Sequence, residues 1–300
     1  MVFSQTHCMA VRPMGIFFRR AGLLILLFFW AAPALLSAAD KIFGTLTVHD
    51  SLTSPNQPAT IEATLTGKSL RTEIPLGGEP IELLIAGNVV ATAMTGGDGR
   101  AFLSYISKAK GSLPFTVRVG TTSKVAMVEA AANLAVWERR TPIIAVEMVS
   151  LMEAPTAQGP TVTLPGKDAE GRQPMPDAAS GLGKLTQFYY NVLYVVTEDK
   201  VVGANDLVSA QARQWLSDHK FPVGHILVLS SDPAAFGAKL DELHAAGWKT
   251  LKIGVGRTKA FAEAFLQRRL DAVMVPEPAM GEVPRKAKVA KDWKDVRKKM

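Results

Sequence analysis

Cysteine is nearly absent: the single one in 300 residues is Cys8. A body without thiols has no disulfide staple, no thiolate nucleophile and no sulfur ligand for zinc. Histidine is sparse. Beyond residue 39 there are only His49, His219, His225 and His244, and none pair at metal-ligand spacing. No Gly-x-Ser-x-Gly elbow is present for a serine hydrolase, and no GxxxxGK[ST] run for a nucleotide phosphate. Acidic residues do not dominate either, since the formal net charge is +7.

That positive charge is unevenly placed. Arg12, Arg19 and Arg20 account for three of it, and eight basic against two acidic residues from Arg285 onward account for six more. The body between is therefore slightly negative, and basicity belongs to the ends. With 48% hydrophobic and 20% charged residues the composition is globular. The length suffices for two domains with their own cores.

Residues 1–39 have the parts of a secretory signal: Arg19-Arg20, an apolar stretch Ala21 to Trp30, and small residues Ser37-Ala38-Ala39 before Asp40. The run Ala21 to Ala39 has marginal length for a membrane anchor, and Pro33 with the small-residue end favours cleavage after Ala39. A periplasmic or secreted location is expected, which makes nucleic acid an improbable partner.

From Lys41 to about Trp137, short runs rich in Val, Ile, Thr and Leu recur about every ten residues between Gly, Pro, Asn and Asp. Strands are expected over 41–48, 59–65, 81–86, 89–95, 101–106, 115–119 and 124–130. Gly87-Asn88 is expected as a tight hairpin and Gly96-Gly97-Asp98-Gly99 as a longer reversal. The stretch Glu79 to Leu103 resembles bacterial immunoglobulin-like modules, so residues 40–137 are expected to form an all-β immunoglobulin-like sandwich. Ala130 to Arg140 reads as an alanine-rich bridge too short for a free linker, so the two domains should pack closely.

After Thr141 the period changes. Ile143–Val149 reads as a strand buried on both faces. A Pro- and Gly-rich loop follows from Met152 to Pro176. Helices are expected over 177–188, 206–219, 234–246 and 258–268, alternating with strands over 192–197, 226–229, 250–255 and 271–275. This order implies a doubly wound, Rossmann-type parallel sheet over 138–284, with ligands beyond the carboxyl ends of its strands. Those ends are Glu147, Thr197-Glu198-Asp199, Ser230-Ser231-Asp232 and Gly254-Val-Gly-Arg-Thr258.

Four stretches in this half carry a resemblance: Trp137 to Val146, Leu193 to Thr197, Arg213 to Gly224, and Ile253 to Phe261. Together they are similar to the haloacid-dehalogenase-like (HAD-like) phosphatases of the lipin-like branch. The resemblance implies a nucleophilic aspartate after the first strand, a second aspartate two residues on, a Thr or Ser after the second strand, a lysine, and acids that hold Mg²⁺. Here those places hold Glu147, Val149, Thr197, no matching lysine (Lys239 and Lys249 lie nearby in sequence), and Val255. A glutamate is one methylene longer than aspartate, and a displacement of about 1 Å can cost about 10²-fold in rate.

The favoured expectation is a non-catalytic HAD-like protein, a binding or partner-interaction module with no cofactor. Its ligand would be anionic or phosphate-bearing, at Thr197, Glu198, Ser230, Arg257, Thr258 and Lys259. One alternative is a phosphomonoesterase or phosphatidate phosphatase using Glu147 and Mg²⁺; another is a structural envelope protein. Residues 285–300 are expected as a basic, solvated tail, with membrane, polysaccharide or an acidic envelope partner as candidate contacts.

Overall fold

Alternation of apolar and polar side chains determines the first half of the molecule. A computed structural model describes residues 41–69, 72–153, 172–198, 205–230, 232–279 and 281–300. The expected signal segment, Ser231, Asp199 and most of the Pro- and Gly-rich loop lie outside them. Among the described residues nine strands come first: β1 (Gly44–Val48), β2 (Ser51–Thr53), β3 (Pro58–Ser69), β4 (Thr72–Pro75), β5 (Pro80–Ile85), β6 (Asn88–Met94), β7 (Arg100–Ile106), β8 (Gly111–Val119) and β9 (Glu129–Val136). In β3, Ile61, Ala63 and Leu65 are buried while Thr60 and Glu62 face solvent. In β8, Phe115, Val117 and Val119 point the same way inward.

These inward faces meet between two sheets, β1-β3-β4 with β7 on β3, and β2-β9-β8-β5-β6. The chain switches sheets early: β1 pairs antiparallel with β3, and β2 pairs parallel with β9. In immunoglobulin lettering the sheets are A-B-E and A′-G-F-C-C′, so the sandwich is immunoglobulin-like in its pairing. The β5–β6 turn is made by Ala86 (φ 49°) and Gly87 (φ 79°), because Ile85 pairs with Asn88. Two successive positive φ angles define the type I′ turn that matches strand twist. The turn is thus one residue earlier than Gly87-Asn88.

The expected strand 124–130 and the bridge after it are corrected together. Residue 125 makes only an isolated pairing with Ile42, while β9 runs through the alanine-rich stretch to Val136. Ala132, Leu134 and Val136 are buried against the facing sheet, so packing decides the element although alanine has little β-propensity.

The second half contains β10 (Ile143–Glu147), α1 (Ala178–Phe188), β11 (Asn191–Glu198), α2 (Asn205–Asp218), β12 (His225–Ser230), α3 (Pro233–Ala245), β13 (Leu251–Gly256), α4 (Lys259–Gln267), β14 (Asp271–Met274), β15 (Lys288–Val289) and α5 (Trp293–Lys299). All six of these strands are parallel, in the order β12-β11-β10-β13-β14-β15. Counted from β10 the order is 3-2-1-4-5-6, a doubly wound sheet whose topological switch point lies between β10 and β13.

Strand β10 ends at Glu147 rather than Val149. Residues Met148–Leu151 form a 3-10 turn held by Ser150 Oγ, which donates to Glu147 O at 2.7 Å. Residues 285–300, expected as a tail, supply the edge strand β15 and helix α5. Trp293 is 1% exposed, Val296 is buried, and Trp293 Nε1 donates to Ser150 O at 3.0 Å. The charges of this stretch suggest solvation, but Ala290, Trp293 and Val296 form an apolar stripe beneath them. Its lysines and arginine in the last turn also suit the negative end of the helix dipole.

The two halves share a core, as the short bridge implied. Ala135 and Trp137 belong to the same cluster as Ile143, Leu193, Phe236 and Trp248, with Leu52 packed against it. Arg139 lies over the Trp248 ring, 5.2 Å from its centroid, and donates to Ser54 Oγ and Ala246 O. Among the described residues no helix is long and apolar enough to cross a membrane.

Candidate functional site

The carboxyl ends of β10, β11, β12 and β13 bring together residues far apart in sequence. Parallel register sets Glu147 at the end of β10, Thr197 opposite Leu229 near the end of β11, and Ser230 at the end of β12. Arg257 and Thr258 follow β13 directly. A cleft of about 190 Å³ opens here, with Glu147 and Thr258 in its wall beside Val195, Thr197, Ser230 and Asp232. Phe236 and Phe261, stacked with ring centroids 4.8 Å apart, form its apolar side.

Glu147 is 3% exposed, and both of its carboxylate oxygens are engaged. Oε2 accepts from Arg257 N at 2.7 Å and Thr258 N at 2.9 Å, and Oε1 accepts from Thr258 Oγ1 at 2.5 Å. Two successive backbone N–H groups and a hydroxyl at a helix start form an anion-binding nest. The anion it holds is the chain's own glutamate. The packing is close enough to require Gly256: a Cβ there would overlap Phe261 Cδ1 and come within 2.8 Å of Glu147 Oε2.

Helix α3 borders the same cleft, and its start is also served by a carboxylate. Asp232 is the N-cap and accepts from Ala234 N at 2.9 Å, with Pro233 opening the helix. Thr258 caps α4 in the same manner, accepting from Phe261 N. Both helix starts that face the cleft are thus already complemented by negative charge.

The cations expected at the site are directed elsewhere. Arg257 Nη2 donates to Met152 O at 2.5 Å, while its Nε is buried without a hydrogen-bond partner. Burial pulls the Arg257 pKa below its usual value; Glu147 opposes that fall and Arg172 adds to it. Lys259 lies at the surface, 3.9 Å from Glu263 one helical turn on. Neither lines the cleft. The backbone of Glu198 ends β11, and its side chain is outside the described residues.

The acid places of the phosphatase pattern do not fit Mg²⁺. Glu147 gives its oxygens to three protein donors, Val149 sits in the 3-10 turn, and Val255 is buried in β13. Among the described residues no group of three or more His, Asp or Glu side chains is placed to hold a metal ion.

A scan against protein-family models gives no match, and no curated protein matches. Among solved structures, the fibronectin(III)-like modules of Clostridium thermocellum CbhA align at 11% identity and TM-score 0.23, over 31% of this chain and 95% of that one. The human B7-H4 IgV-like domain aligns at 12% identity and TM-score 0.23, over 31% and 96%. The Ig1-2 module of the Drosophila receptor protein tyrosine phosphatase DLAR aligns at 11% identity and TM-score 0.25, over 35% of this chain and 59% of that one.

The sequence singled out five of the residues that line this cleft: Glu147, Thr197, Ser230, Asp232 and Thr258. Phe236 and Phe261 as a stacked wall were not legible, because their meeting depends on how α3 and α4 pack. A cluster of buried Asp50 and His225 with half-buried Arg213 was also missed, since nothing local links residues so far apart.

Proposed function

We propose that the chain is an exported, non-catalytic two-module protein whose α/β half keeps a HAD-like scaffold and acts as a binding or partner-interaction module. The observation that carries this reading is the commitment of Glu147. A nucleophile needs a free lone pair aimed at the reacting atom from about 3–3.5 Å. The three hydrogen bonds to Arg257 N, Thr258 N and Thr258 Oγ1 engage both oxygens and hold the carboxylate on the turn after β13. Val149 offers no proton for a leaving group. The strand order, with Glu147 and Thr197 at adjacent strand ends, supports a scaffold of the HAD-like, lipin-like kind. Export rests on the signal-like residues 1–39.

The chemistry of the cleft favours an uncharged, partly apolar ligand or partner side chain over phosphate. The charged groups in its described lining are Glu147 and Asp232, both acidic, while Thr197 and Ser230 offer hydroxyls and Phe236 and Phe261 an apolar wall. Arg257 is turned to Met152 O, which leaves an anion without its counter-charge.

Assay of the purified protein with a generic phosphomonoester and Mg²⁺ tests the reading. Turnover at background level, with no Mg²⁺-dependent thermal shift, is expected. Turnover abolished by Glu147→Gln would establish the phosphatase instead.

A further inference from the structure

A buried carboxylate that the cleft does not involve joins the two halves. Asp50 lies between β1 and β2, and its side chain is 0% exposed. Its Oδ1 accepts from Asn133 N of β9 at 2.8 Å and from Arg213 Nη2 of α2 at 2.6 Å. Its Oδ2 accepts from Ile226 N of β12 at 2.9 Å. One side chain of the sandwich thus ties β9 to α2 and to the edge strand of the parallel sheet.

His225 precedes Ile226 and is 6% exposed, with the Trp137 ring edge-on to it at 6.3 Å. Its Nδ1 is buried and has no hydrogen-bond partner, and Arg213 Nη1 is in the same condition. Asp50 from the sandwich, Arg213 from α2 and Lys239 from α3 are the charged groups that act on it. With the imidazole neutral, Arg213 and Asp50 balance. A proton on His225 adds a second cation to a cluster that holds one carboxylate, at an imidazole itself closed to water.

We propose that Asp50, Arg213 and His225 form an acid-sensitive latch between the two modules, closed while His225 is neutral and released when it is protonated. Opening the seam lets the imidazolium reach water and relieves the excess charge. Burial holds the His225 pKa below its usual 6.5, with Asp50 opposing and Lys239 and Arg213 reinforcing the fall. The separated seam takes up the proton near 6.5 and the closed one does not. Closure is therefore fully favoured above that pH and weakens as pH falls from 6.5 toward the lowered value.

Hydrogen exchange of the full chain, expressed as protection relative to intrinsic rates, tests the latch between about pH 7.5 and about pH 5, the interval in which histidine titrates. Segments 48–53, 131–137, 210–216 and 224–230 should lose protection severalfold on acidification. Segments 61–65 and 81–83, inside the sandwich, should not. His225→Asn should abolish the step. A wild-type seam with unchanged protection, or a step that survives in His225→Asn, overturns the proposal. Arg213→Met decides the matter if the histidine variant does not fold. It removes a cation that reinforces the fall in the His225 pKa and leaves the burial in place, so acid should lower protection at the seam less than in the wild type, and an equal or greater fall overturns the latch.

Discussion

Glu147 and Thr258 close the switch point of the parallel sheet from opposite sides, Oε1 of the first 2.5 Å from Oγ1 of the second. The same hydroxyl accepts from Phe261 N, so the cap of α4 and the end of β10 are one hydrogen-bonded unit. Phosphoryl transfer would need this carboxylate free. Here it holds the turn after β13 together.

Removing the carboxylate should leave its buried donors unsatisfied. Glu147→Ala is expected to cost about 3–5 kcal/mol, the range for removing one partner of a buried charge-assisted set. Chemical denaturation with a constant m-value measures it. Formate or acetate should restore part of the loss in this variant and leave the wild type unchanged.

The close approach at Gly256 predicts a second effect. Gly256→Ala places a methyl against Phe261 and Glu147 and should destabilise by about 1–3 kcal/mol, as overpacking does. Gly97→Ala is the control, since nothing lies within 4 Å of its Cβ position. Equal thermal midpoints for the two variants would contradict this account of the turn.

Much of this architecture was readable from local pattern. Apolar runs of strand length alternating with capped helices identified all five strands from Ile143 to Met274 and the parallel, doubly wound sheet they form, because each carries its own period and stop signals. Asp232-Pro233 and Gly247 at the ends of α3 are examples. What could not be read was set by distant partners or by local bonds that apolar pattern does not reveal. The apolar run of β10 continues in sequence through Met148 and Val149, yet the strand stops because Ser150 Oγ turns back to Glu147 O. The alanines of β9 become a strand because a facing sheet covers them. Trp293 was visible as an aromatic in a basic run, but its burial depends on α1 and the 3-10 turn. Glu147 was found at the correct strand end; its engagement with residues 257 and 258, over a hundred positions away, required the fold.

The C-terminal segment should behave as core. Trp293→Ala is expected to cost about 3–5 kcal/mol, as for other buried aromatic truncations, and it also loses the bond to Ser150 O. Lys299→Ala should stay within about 0.5 kcal/mol of wild type. A Trp293→Ala variant as stable as Lys299→Ala would show that residues 285–300 do not contribute to the α/β core.

The Asp50 contact should couple the modules in stability as well as in exchange. Asp50→Asn leaves Arg213 without its counter-charge at the seam and is expected to cost about 3–5 kcal/mol. Tryptophan fluorescence follows the α/β half and the seam through Trp137, Trp215, Trp248 and Trp293, and far-ultraviolet circular dichroism follows both halves. The two transitions should coincide in the wild type and separate in the variant.

The role of Glu147 is tested most directly by measuring stability and phosphomonoester turnover on the same Glu147→Gln preparation beside the wild type. The structural role predicts a thermal midpoint lowered by several degrees, about 2–4 °C per kcal/mol lost for a domain of this size, with turnover at background in both proteins. An unchanged midpoint together with wild-type turnover that the substitution abolishes would contradict it.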